Sequence, residues 1–174
     1  MGQKYKLFVP KQATGANLVY FDFFNATTSN TDIIVTSVLP VVSGAVTVTG
    51  VLGVDLLLTY TSAVGTGGTA ATLMGTDITA ATFTPMSPVA QALNAGVTAR
   101  LTPSGGATAS GIIAYGSVFT EEAQDATYNG TLYELLARSG ELSIPKGWGF
   151  RVIQGAVASV GNIGFDVTFE ATPR

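Results

Sequence analysis

The stretch from Leu142 to Phe169 constrains the fold more than any other part of the chain. It reads as two long strands joined by a loop, each preceded by its own turn. In the second strand Phe165, Val167 and Phe169 fall on one face, and Asp166, Thr168 and Glu170 fall on the other. That is the period-2 pattern of a half-buried antiparallel strand. The apolar face of such a pair needs a second sheet to cover it, so the sequence points to a layered all-β body.

A chain of 174 residues fits one domain and is long enough to bury a core without disulfides. It contains no cysteine and no histidine. Disulfide staples, thiolate metal sites, cysteine nucleophiles, the usual imidazole ligand and the triad base all go with them. Charged residues are 11% of the chain, against about 25% in ordinary soluble domains. The polar face is therefore written in Thr, Ser, Asn and Gly. With a net charge of -3, so bland a surface is weakly protected against self-association. Burial in a symmetric assembly accounts for it, and so does a Thr-rich solvated surface.

The basic residues Lys4, Lys6, Lys11, Arg100, Arg138, Lys146, Arg151 and Arg174 are scattered, which argues against a nucleic-acid partner. Ile33 to Val54 lacks charge over a length that could span a bilayer. Pro40, Gly44, Gly50 and Gly53 interrupt it, and Thr47 and Thr49 alternate with Val46, Val48 and Val51, so β-branched strands explain it better than a membrane helix. No membrane partner is expected. The N-terminus lacks the apolar core and cleavage site of a signal peptide, so synthesis in the cytoplasm is expected.

Taken in order, residues 1–16 are expected as an N-terminal arm or short strand, and residues 17–174 as one β-sandwich domain. Strands are expected at Leu18–Phe24, at Asp32–Leu39 with Pro40 as its stop, at Ala45–Val51 and at Val54–Thr61. In the last of these Leu57 belongs to the outward set, which implies that this face too is covered. Gly65-Thr66-Gly67-Gly68-Thr69 reads as a hairpin tip. A phosphate cradle would need a following Gly-Lys-Ser/Thr and a helix. A short edge strand is expected around Ala71–Met74.

Ser87 as N-cap, Pro88 at the first helical position and Gly96 as terminator predict one short helix that crosses between sheets. Strands follow at Val97–Thr102 and Ala109–Thr120. Gly67-Gly68-Thr69-Ala70 and Gly105-Gly106-Ala107-Thr108 read as two similar loops at one end of the molecule.

Glu121-Glu122-Ala123-Gln124-Asp125 matches no calcium-loop spacing, and adjacent carboxylates in an extended segment point to opposite sides, so a solvated loop is favoured over a cation site or a hydrolase pair. Thr131–Gly140 carries a capping box yet leans towards strand or irregular structure. Trp148, between Gly147 and Gly149, is expected in the core or a hairpin rather than as a sugar-stacking platform. Asn25-Ala26-Thr27 and Asn129-Gly130-Thr131 fit the glycosylation pattern but carry little weight without a secretory signal. No catalytic, cofactor-binding or metal-ligating residue is proposed, no cofactor is expected, and the chain is read as not an enzyme.

About eight strands separated by Gly/Pro/Asn turns make an all-β β-sandwich or jelly roll with one short helix. A transmembrane barrel is the architectural rival, and it lacks aromatic girdles and an export signal. Phe24-Asn25-Ala26-Thr27 before Ile33-Ile34-Val35, the Ala63–Ala70 loop, Ala95–Arg100, Ile144–Phe150 and Asn162–Phe169 resemble jelly-roll decoration, or cement, proteins of tailed-bacteriophage capsids. The resemblance runs through most of the chain and rests on turn and strand patterns. It implies a virion protein on the capsid exterior, a homotrimer that binds the major capsid protein and bridges its subunits. Another virion component (neck, tail or fibre) and a carbohydrate-binding module are the alternatives.

Overall fold

The computed structural model describes residues 2–43, 52–87, 93–105, 109–120, 141–159 and 161–174. Among these residues there are twelve strands and no helix. In chain order they are β1 (Gln3–Ala13), β2 (Val19–Asn25), β3 (Thr31–Ser43), β4 (Leu52–Thr61), β5 (Thr69–Ala70) and β6 (Thr72–Leu73). Then come β7 (Thr82–Pro85), β8 (Val97–Leu101), β9 (Ala109–Thr120), β10 (Leu142–Ile144), β11 (Trp148–Gln154) and β12 (Asn162–Pro173). They build two six-stranded sheets, ordered β10-β3-β12-β1-β7-β6 and β5-β8-β2-β11-β4-β9. These are called the first and second sheets below. Every pairing is antiparallel except β6 with β7. The architecture is a β-sandwich.

Alternation places the core. Tyr5, Leu7 and Val9 of β1 and Phe165, Val167 and Phe169 of β12 line the inner face of the first sheet. Phe21 and Phe23 of β2, Leu56 and Leu58 of β4 and Phe150 and Val152 of β11 line the second. Phe23 lies at the centre, 5.2 Å from the Phe150 ring, 5.1 Å from Phe169 and 6.1 Å from Phe83. The Phe150 pair is stacked and the other two are edge to face, and either geometry at that spacing adds about 0.5–1.5 kcal/mol per pair beyond burial.

Several expectations change. The two strands of Leu142–Phe169 are not neighbours: β11 belongs to the second sheet and β12 to the first, so their apolar faces cover one another. Residues 1–16 do not form an arm. β1 runs between β12 and β7, with Pro10 inside the register shift between Val9 and Gln12, where a missing N–H is tolerated. Pro40 does not end its strand either. β3 continues to Ser43, and β10 reaches only Ile33 to Val35, so around Pro40 just one described strand, β12, flanks it.

The short helix expected from Pro88 through Leu93 falls mostly on residues 88–92, outside the described residues, and Leu93 to Gly96 are not helical; the strand expected at Ala45–Val51 and all of Glu121–Gly140 also lie outside the described residues. The chain passes from β7 in the first sheet to β8 in the second, which is the crossing expected of the 87–96 stretch. No helix among the described residues is long and apolar enough to cross a membrane.

The pairings nest. β1 pairs with β12, β2 with β11, β3 with β10 and β4 with β9. First meets last and second meets last but one, as in a single antiparallel ribbon whose successive turns alternate between the sheets. β3 beside β12 and β4 beside β11 close the ribbon on itself. Residues 62–108 are inserted at its tip, between β4 and β9. Their four strands lie at the far margin, β7 and β6 beyond β1, and β8 and β5 beyond β2.

Candidate interaction surface

That insertion must travel. Between β4 and β5 the chain crosses the outside of the second sheet over β2, and Thr102–Gly105, after β8, begin the return. The two passages lie side by side: the Thr66 N–H donates to the Gly105 carbonyl at 2.9 Å, and the Ser104 N–H donates to the Thr66 carbonyl at 3.0 Å. This sets Gly105, the first residue of the second glycine loop, beside Thr66 next to the first loop; Gly106-Ala107-Thr108 lie outside the described residues. It also corrects the hairpin reading of Gly65–Thr69, because β5 pairs with β8 and not with β4. The Gly65 and Thr66 N–H groups of this loop and the Thr66 and Gly67 carbonyls are used within the crossing.

Under the passages lies a buried ion pair. Asp22 and Arg151 are directly opposed on β2 and β11 and point away from the core. Arg151 Nη2 donates to Asp22 Oδ2 at 2.9 Å, and Asp22 is only 1% exposed. Burial pushes the Asp22 carboxyl above the ordinary carboxylate value, opposed by the Arg151 hydrogen bond and charge, the Gly65 N–H and the Arg100 charge. Arg100 also holds the loop from β8, donating from Nη1 to the Gly67 carbonyl at 3.1 Å. Glycine is required at 65 because a Cβ there would lie 2.7 Å from Asp22 Oδ2 and 2.8 Å from Pro103 Cβ. Asp22 Oδ1, Arg151 Nε and Thr59 Oγ1 are buried with no hydrogen-bond partner among the described residues.

The other half of this outer face is different. Ile153 of β11, Leu57 of β4 and Tyr115 of β9 stand in one cross-strand row. Tyr115 is 59% exposed and Ile112, farther along β9, 67%. Asp55 is the acid of this half on β4, and Ser117 Oγ donates to it at 2.6 Å. The outward placement of Leu57 is the one element of this surface legible from alternation alone.

The outer face of the first sheet carries most of the paired surface charge. Lys6 Nζ lies 2.6 Å from Asp166 Oδ2, and Arg174 Nε donates to Asp32 Oδ1 at 2.6 Å. Arg174 holds the Asp32 carboxyl below its ordinary value. Phe8 and Ile34 are its exposed apolar residues. A cavity of about 290 Å³ opens at the insertion margin, lined by Ala70, Ala71, Leu73, Phe83, Val97 and Ala99, with Arg100 beside it.

Trp148 is 38% exposed and meets Tyr60 edge to face at 6.4 Å, at a connection between the sheets rather than in the core or a hairpin. Asn25 of the first glycosylation pattern is fully buried, its Nδ2 donating to the carbonyls of Thr31 and Ile144, so it is spent on structure. No three acidic, histidine or cysteine side chains gather as metal ligands among the described residues. Sequence reasoning missed the Asp22–Arg151 pair. The available signal was an acid between Phe21 and Phe23, where a solvated strand face would not also carry Phe24. No family model, no curated protein and no solved structure matches the chain.

Proposed function

We propose that this chain is a jelly-roll structural protein of a virus particle, a decoration or cement protein that binds the outer surface of a tailed-phage head and bridges major capsid subunits. It is made in the host cytoplasm and carried on the capsid exterior. The jelly-roll reading is supported by the nested order β1·β12, β2·β11, β3·β10 and β4·β9, since a ribbon rolled in this way makes two Greek keys over a common core.

The observation that carries the functional reading is the uncharged cross-strand row Ile153–Leu57–Tyr115 on the outer face of the second sheet, with Tyr115 exposed and Leu57 and Ile153 half-buried. A flat apolar row suits a protein partner better than a small molecule, which binds in concave sites. Repeated over a lattice, many individually weak contacts of this kind act together through effective concentration. Self-assembly belongs to this reading. The threefold arrangement implied by the resemblance is one way for copies to meet.

The test is co-sedimentation of the purified chain with emptied heads of its own virus, together with a density map of the native particle. Binding that saturates, and density for this chain on the head, are the expected results. Density at the neck, tail or fibre would move the protein to another virion position, and no binding to any part of the particle would sink the reading. The half-exposed Trp148–Tyr60 pair favours one alternative, a carbohydrate-binding module. Glycan-array binding that disappears in Trp148→Ala would select it.

A further inference from the structure

We draw no further inference here: the strongest candidate, the cavity of about 290 Å³ at the insertion margin beside Arg100, adjoins residues 88–92, which lie outside the described residues, and nothing in the structure shows what fills it.

Discussion

Replacing Asp22 by Ala is the sharpest probe of how the crossing is held. Asp22 accepts from Arg151 on β11 and from the Gly65 N–H in the insertion, so one truncation strands a buried guanidinium and a backbone donor together. Breaking a buried pair from one side costs about 3–5 kcal/mol, and an orphaned buried donor about 1–3. These overlap, and about 4–6 kcal/mol is expected, a large share of the roughly 5–15 kcal/mol that holds a domain together. Asp22→Leu with Arg151→Met removes both charges and should lie within about 2 kcal/mol of wild type, the Gly65 N–H being the remaining loss. Denaturant unfolding of wild type, both single variants and the double variant measures the coupling directly.

The pH dependence has a definite sign. The folded carboxyl value is raised above the unfolded one, so the native state binds this proton more tightly. The stability contributed by Asp22 is therefore fully present below the unfolded value and is lost as pH rises through the folded one. Wild type should lose ground to the double variant as pH is raised from about 4. An Asp22→Ala cost below about 1 kcal/mol, or a double variant as unstable as the two singles summed, would refute the reasoning.

Three further outcomes follow from the geometry. Gly149→Ala should cost more than about 3 kcal/mol by denaturant unfolding, because a methyl there runs into the Phe23 carbonyl and forces β11 away from β2. Thr102→Gly should raise stability by about 0.5–1 kcal/mol, since a β-branched residue at φ 40° is strained where glycine is not. Lys6→Ala should change stability by less than about 1 kcal/mol, and less still in high salt, because its Asp166 pair is largely solvated.

What could be read in advance follows from which forces are local. β9 and the inner face of β12 were legible because alternation is written residue by residue, and Leu57 was legible for the same reason. Sheet membership was not, because nothing in Trp148–Phe169 distinguishes two strands side by side from two strands face to face. That choice is made by Phe21, which packs on both Phe150 and Phe165 from a strand far away in the chain. Pro10 and Pro40 misled because their cost depends on the neighbouring strand. Proline stops a strand only where a partner needs its N–H, and here one sits in a bulge and the other lies beyond the reach of β10. Asp22–Arg151 stayed hidden since it joins residues distant in sequence under a crossing that only the topology creates.

That crossing bears on where the half-exposed row Ile153–Leu57–Tyr115 lies. The insertion leaves the ribbon tip at β4 and adds its strands beyond β2, so its outward passage crosses the outer face over Asp22 of β2, where the Gly65 N–H meets the carboxylate. Beneath it the sheet can hold a desolvated ion pair and Phe24, and Thr59 of β4, opposite Arg151, is buried as well, while Ile112 and Tyr115 of β9 are exposed. A loop short enough to join β4 directly to β9 would have left the whole face to solvent and removed the reason for burying Asp22. The same detour closes one margin of the sandwich with the β5–β6 corner and leaves β9 as its one long edge among the described strands.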